Sequence, residues 1–238
     1  MKGDELNFGE VPFSRLVEES EELSRLRREY EKKPAMERRR TADYLYHSFI
    51  AESIIREVMP LEDDSSLSLP GEVIALAIDP TYAPAILTVG SYEYIFGRKD
   101  EAMHHFMSLT RLPEDTEDLA IIIDKAGDFL VDNKDIENAV RLYQAAMTQY
   151  PKVALFHNSL SYCYGLLGEL EKALEEAQLA VELDPDNYLY LNDLGWSLVD
   201  LGRFDEAEII LEKAVDLSPP DYELARNNLE EVRRRKSL

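Results

Sequence analysis

The chain has 238 residues, and 48 acidic against 26 basic side chains leave a formal net charge of −22. A surface so short of cations excludes a bare nucleic-acid or anionic-membrane binder, because neutralising phosphate needs Lys and Arg. A hydrophobic content of 45% excludes a disordered acidic tail and supplies a core for one or two domains, while the single cysteine, Cys163, excludes an intrachain disulfide framework or a multi-cysteine metal site.

The first residues, Met1-Lys2-Gly3-Asp4-Glu5, lack the long apolar run of a signal peptide. No later stretch approaches the roughly 18 uninterrupted apolar residues of a membrane span, so a soluble, cytoplasmic protein without direct membrane insertion is expected. Residues 12 to 33 read as an amphipathic helix, with Leu16, Leu23, Leu26 and Tyr30 at helical spacing, and Pro34 interrupts it. The cations from 25 to 40, among them Arg27, Lys33, Arg38, Arg39 and Arg40, are interleaved with acids such as Glu29, Glu31 and Glu37, which is the pattern of a solvated helix face. A second helix from 35 to 59 presents Ala42, Leu45, Tyr46, Phe49, Ile54 and Val58, and Pro60 stops it. Leu61 to Ser66 is a loop, and Pro70 to Ile78 a short helix ending at Asp79-Pro80.

From there a period takes over. Ala139, Ala173 and Ala207 are spaced by 34, and so are Ala146, Ala180 and Ala214, then Pro151, Pro185 and Pro219. Leu160 pairs with Leu194 and Gly168 with Gly202 at the same interval. One step earlier the interval lengthens to 37, as Ala102 precedes Ala139, Gly90 precedes Gly127 and Phe106 precedes Tyr143; the acidic connector Pro113 to Asp118 can absorb the extra residues. Within a unit, Phe156, Leu160, Cys163, Tyr164 and Leu167 recur at three and four, Gly168 ends that helix, and Leu170, Ala173, Leu174, Ala177, Val181 and Leu183 form the stripe of a second. Alanine in the repeating columns lets the two helices approach closely.

These columns resemble the tetratricopeptide repeat family, a 34-residue helix-turn-helix with a Leu-Gly-Tyr first helix, an Ala- and Phe-bearing second helix and a closing Pro. Tyr188 to Asp221 matches with Leu191, Leu194, Gly195, Leu198, Gly202, Ala207, Leu211, Ala214 and Pro219. Ala154 to Asn187 matches with Ser161 in place of the first glycine, Ala120 to Val153 supplies Gly127, Ala139, Tyr143, Ala146 and Pro151, and the unit from Ala83 keeps Gly90, Gly97, Ala102 and Phe106. The resemblance implies an all-α, right-handed α-solenoid. Its expected parts are an N-terminal helical extension (1–40), a degenerate repeat (41–82), four repeats (about 83–119, 120–153, 154–187 and 188–221), and a C-terminal capping helix with a basic tail (222–238). Leu224, Leu229 and Val232 are expected to face inward in that cap, and the run Arg233 to Lys236 complements its dipole.

Catalytic chemistry has little to stand on. No phosphate loop, paired-histidine zinc helix or nucleophile elbow is present. His104 and His105 are adjacent and point about 100° apart on a helix. His47 and His157 have no evident partners, and Cys163 falls on an apolar face as an inert thiol. A noncatalytic protein without cofactor or metal is expected.

The family resemblance implies a binding scaffold whose first helices line a groove through positions 2, 5, 9, 12 and 13. Counting those positions here gives Ser91 and Tyr94, then Asp124, Asp128 and Asp132, then Asn158 and Tyr162, then Asn192, Trp196 and Asp200. The three aspartates, spaced by four, make one carboxylate column, which destabilises a helix by roughly 0.2–0.5 kcal/mol per pair unless a cationic partner neutralises it. They are either that partner's site or the solvated face of an acidic protein. Tyr162 and Trp196 share one repeat position, as binding anchors or as packing. None of these positions is basic, whereas relatives that grip acidic chaperone tails place Lys and Arg there. The expected partner is therefore a peptide or protein segment with basic and apolar residues, bound by an adaptor or scaffold. Alternatives are a cytosolic chaperone for a secreted or membrane-associated client, or a scaffold subunit forming a homodimer through residues 12–60.

Overall fold

A computed structural model describes residues 21–44, 46 and 71–237. The expected helical residues 12–20 and 45–59 (Tyr46 aside), the loop from Leu61 and His47 lie outside the described residues, as does about half of the segment 12–60 proposed to dimerise. Every described element is helical. The chain divides into two compact units, Met1–Ile122 and Ile123–Leu238.

In the first unit, helix α1 (Glu21–Tyr30) is followed by a turn before Pro34 and by α2, residues 35–44. Then come α3 (Gly71–Ile78), α4 (Ala83–Ile95) and α5 (Lys99–Leu109). Ala42, Ala75, Tyr82 and Ala85 form a small core, with Tyr46 and Leu76 against it. Arg39 departs from the expected solvated face. Its Nε donates to Oδ2 of the buried Asp79 at 3.1 Å, and its guanidinium lies 5.4 Å from the centre of the Tyr82 ring. Nothing in the local pattern of residues 25–40 distinguishes Arg39, because its partners come 40 and 43 residues later.

Helix α6 (Leu119–Asp132) precedes α7 (Ile136–Gln149), α8 (Ala154–Leu166), α9 (Leu170–Leu183), α10 (Tyr188–Asp200), α11 (Phe204–Leu217) and α12 (Glu223–Lys236). In the second unit each helix packs on the next, with α8, α10 and α12 following one another along one face. All four hairpins turn by the same device. The second residue beyond the first helix takes a left-handed conformation, at Gly97, Lys134, Gly168 and Gly202, with φ of 82°, 60°, 75° and 71°. This lets the next amide bond back five residues, as in Asp135 N to Leu130 O at 2.9 Å and Glu169 N to Tyr164 O at 2.9 Å. Lys134 carries the steric cost that glycine avoids. Leu167 and Leu183, expected on the apolar stripes, are exposed because they fall at helix ends.

Packing inside each hairpin follows a size rule. A Cβ added at Gly90 would meet Phe106 at 2.6 Å, one at Gly127 would meet Tyr143 at 2.1 Å, and one at Gly195 would meet Leu211 at 2.6 Å. Each large side chain therefore sits against a bare backbone. Where Ser161 replaces the glycine, the opposing position holds only Ala177, and the serine hydroxyl donates to Ala173 O at 2.7 Å inside the core. The substitution noted in the repeat column thus comes with a compensating small partner.

The terminal helix α12 buries Ala225, Leu229 and Val232, spaced four and three. Leu224 does not face inward as expected; it lies one residue off that stripe and is 50% exposed. Arg233 bonds Glu208 and Glu212 of α11 at 2.8 and 2.5 Å, and Lys236 reaches Asp205 and Glu208 at 2.7 and 2.6 Å. The basic run therefore clamps α12 onto α11 in addition to complementing its own C-terminal carbonyls. Among the described residues, no helix is long and apolar enough to cross a membrane.

Candidate functional site

The second unit contains a cavity of about 500 Å³ on the face made by successive first helices. From α8 it takes Asn158, Ser161, Tyr162, Gly165 and Leu166; from α9, Leu170 and Ala173; from α10, Asn192, Asp193, Trp196, Ser197 and Asp200; from α12, Leu224 and Asn228. Helical periodicity explains the grouping: Asn158, Tyr162 and Gly165/Leu166 recur at four and three, as do Asn192, Trp196 and Asp200 at four, so each set forms one stripe. The walls are apolar and open. Tyr162 is 60% exposed although it is aromatic, and Leu166 and Leu224 stand half exposed beside it.

The floor is polar. Asn158 Nδ2 donates to Asp193 Oδ2 at 2.9 Å, Asn192 Nδ2 to Asp193 Oδ1 at 3.1 Å, and Asn228 Nδ2 to Asn192 Oδ1 at 2.9 Å. This chain of amides holds Asp193 in place without supplying a positive charge. Burial raises the Asp193 pKa, and the two amide donors oppose that rise. Asn158 Oδ1 is buried and meets no donor among the described residues. Asp200 is also shifted upward by burial, with Arg235 pulling the other way. Neither Asp193 nor Asp200 has a Lys or Arg within ion-pair distance among the described residues, so the two carboxylates are left without a direct cationic partner, Arg235 acting on Asp200 only from beyond that distance.

Five of the ten sequence candidates, Asn158, Tyr162, Asn192, Trp196 and Asp200, line this cavity together. Trp196 does two things: it packs against the core around Leu198 and Leu211, and it lines the cavity; the Arg235 guanidinium lies 5.7 Å from its ring, at the edge of the lining rather than within it. The carboxylate column of α6 lies elsewhere. Asp124 is drawn inward, accepting from Tyr143 Oη at 3.0 Å and Ser159 Oγ at 2.6 Å. Asp128 is exposed, and its pKa is raised by burial of its carboxyl and then by Asp124 and Asp132. Asp132, at the end of the column, is exposed as well. Ser91 and Tyr94 belong to the first unit, whose own cavity, of about 480 Å³, is lined by other residues including Arg39, Asp43 and Tyr82. Ser91 bonds back to Leu87 O, and Tyr94 is buried with the Lys99 ammonium 4.6 Å from its ring.

Asp193, Leu224 and Asn228 were not among the sequence candidates. Treating α12 as one further first helix starting at Glu223 puts Leu224 at position 2, so the same counting rule reaches it; Asp193 and Asn228 sit at position 6, outside that rule. His157 does have partners, Glu176 Oε2 at 2.7 Å and Pro151 O at 3.3 Å. Cys163 is buried, and burial pushes its thiol up to about 12, far from nucleophilic ionisation. Among the described residues, no three His, Cys, Asp or Glu side chains are grouped to hold a metal ion.

The family model described as tetratricopeptide repeat matches residues 125–188 and 167–222. Among solved structures, YrrB, described as a TPR protein with an unusual peptide-binding site, superposes with a TM-score of 0.52 and 20% identity over 92% of this chain and 98% of its own. The Sgt2 TPR domain from Aspergillus fumigatus gives 0.47 and 23% over 50% and 79%, and the first TPR domain of human RPAP3 gives 0.47 and 19% over 50% and 94%. At these identities the likeness to YrrB concerns the fold. No curated protein matches the sequence.

Proposed function

We propose that this chain, whose residues 125–222 match the tetratricopeptide repeat model, is a noncatalytic cytoplasmic adaptor that takes a peptide or protein segment with basic and apolar residues into the α8–α10–α12 cavity. One observation carries this reading: an open, apolar-walled cavity shared by three successive first helices has two carboxylates, Asp193 and Asp200, that no cation of the described fold pairs. The walls suit an apolar side chain and the carboxylates suit a cationic one. An acidic tail would meet the like charge of Asp193 and Asp200 there. YrrB is described as having a peptide-binding site of its own; the partner chemistry assigned to this chain rests on its own lining. Within this reading the four hairpins from 83 to 221 are the repeats, and residues 41–82 a degenerate one.

The test is a panel of immobilised peptides, basic-apolar against acidic, probed with the full chain and with Tyr162→Ala. Tyr162 is largely exposed, so its truncation leaves folding intact, while loss of an aromatic anchor weakens binding by about 2 kcal/mol, or roughly thirtyfold. Retention of basic-apolar peptides by the wild type, lost in the variant at unchanged melting temperature, is the expected result. Equal retention by both proteins, or a preference for acidic peptides, would overturn it.

A further inference from the structure

We propose that the Trp196–Asp200 corner of this cavity is a subsite for an arginine side chain of the bound peptide, and that Arg235 of the terminal helix stands in for that side chain while the site is free. The proposal rests on the peptide-binding reading above and goes further, because it names the recognised group and a competitor built into the chain.

Three independent observations converge on this corner. The first is geometric. The Arg235 guanidinium lies over the half-buried Trp196 ring, 5.7 Å from its centroid, and indole is the aromatic face that attracts a planar cation best. The second is electrostatic. Asp200 follows Trp196 by four residues, so its carboxylate stands on the same side of α10, one turn along. Arg235 is close enough to oppose the burial-driven rise of the Asp200 pKa yet forms no ion pair with it. A cation is felt at this corner without being fixed there.

The third observation concerns how Arg235 is held. Of the four basic residues ending α12, Arg233 and Lys236 bridge to α11 and hold the helix down. Among the described residues the ion pair and hydrogen bond of Arg235 stay within its own helix, to Glu231 Oε1 at 2.8 Å, and that carboxylate is already met by two bonds from Arg234, at 2.8 and 2.7 Å. Removing Arg235 from the ring therefore leaves Glu231 neutralised and the α11–α12 clamp intact. A placeholder needs just that: a contact that occupies the position and is given up cheaply. An ammonium can also sit over the ring, but only the planar guanidinium stacks flat on indole while reaching Asp200, so arginine is favoured over lysine.

Trp196 is the only tryptophan in the sequence and so reports directly on its own corner. The full chain and Arg235→Ala are titrated with two capped pentapeptides, Ala-Leu-Arg-Leu-Ala and the same sequence with norleucine for arginine. Tryptophan fluorescence and calorimetry are the readouts. Arg235→Ala is expected to bind the arginine peptide about three- to tenfold more tightly than wild type and the norleucine peptide no better, and Asp200→Asn in the same background should reverse the gain. Arg235→Gln, which keeps the aliphatic stem over the ring, serves as a second variant if truncation to alanine frays the helix; it should show the same direction. An unchanged or weakened affinity for the arginine peptide in both variants overturns the placeholder. So does an equal gain for the norleucine peptide, which would make Arg235 a plug over an apolar groove. If both peptides bind both proteins equally, the subsite fails and peptide binding stands; if neither peptide binds either protein, both readings fail together.

Discussion

Gly127→Ala is a single methyl group placed where the hairpin has no room for it. The new Cβ would lie 2.1 Å from Tyr143 Oη, 2.2 Å from Cζ and 2.6 Å from Cε2, against an ordinary contact of 3.4 Å or more. Tyr143 is fully buried, so its ring cannot swing into solvent. It can only displace, and in doing so it strains its hydrogen bonds to Asp124 O and Oδ1, at 3.2 and 3.0 Å. Overpacking of this kind costs about 1–3 kcal/mol, and weakening a buried hydrogen bond adds roughly 0.5–1.5 kcal/mol. Against this, alanine favours a helix interior over glycine by about 1 kcal/mol, leaving a net loss of about 0.5–3.5 kcal/mol. Urea unfolding followed by far-ultraviolet circular dichroism measures it. The decisive comparison is the same substitution in a Tyr143→Ala background, which matches the small residue opposite Ser161 in the next hairpin and removes all three clashing atoms. There Gly127→Ala should be neutral or stabilising. An equal loss in both backgrounds would show that the glycine is needed for some reason other than Tyr143, and the size rule would fail.

Two further outcomes follow from single residues. Lys134 occupies the left-handed turn position that glycine fills in the other three hairpins, so Lys134→Gly should raise stability by roughly 0.5–1 kcal/mol; a loss on urea unfolding would show that the lysine side chain compensates its backbone. His105 is buried, and burial, reinforced by His104, pushes its pKa down to about 4. Above pH 6.5 the ring is neutral in both states and contributes nothing to the pH dependence. Between pH 6.5 and 4 the unfolded chain takes up a proton that the folded chain refuses, so stability falls on acidification by up to about 3 kcal/mol. The upward-shifted Asp124, Asp128 and Asp193 act in the opposite sense as they protonate. His105→Leu should therefore flatten the loss between pH 6.5 and 5, and an unaltered slope there would refute the assignment.

What could be read from the sequence alone is what sterics imposes at a fixed interval. The alanine, glycine and proline columns mark where backbones meet or turn, and those demands recur with every hairpin, so the helical pairs and the stripe carrying Asn158, Tyr162, Asn192, Trp196 and Asp200 follow from counting. Contacts that cross between columns do not recur and leave no periodic trace. Asp124 looked like one member of an outward row of three, yet Tyr143 and Ser159, from two different helices, draw it inward. Arg39 looked like one cation among many until Asp79 and Tyr82 folded against it. His157 likewise finds Glu176 nineteen residues away. Asp193 reaches the cavity floor through asparagines on neighbouring helices, a placement that depends on how the helices cross rather than on any spacing within one of them.

The matching of socket to side-chain size has a consequence at a larger scale. Each socket and the side chain that fills it, Gly127 with Tyr143, Ser161 with Ala177 and Gly195 with Leu211, belong to the same hairpin. The fit is thus sealed inside a 34-residue cassette rather than shared across cassette borders. Whole hairpins can be duplicated, deleted or exchanged with this fit preserved. A single helix moved between hairpins would bring a tyrosine to a serine, or leave an alanine facing an empty glycine. For gene duplication, as for an engineer recombining such arrays, the natural cut falls after the second helix and never between the two.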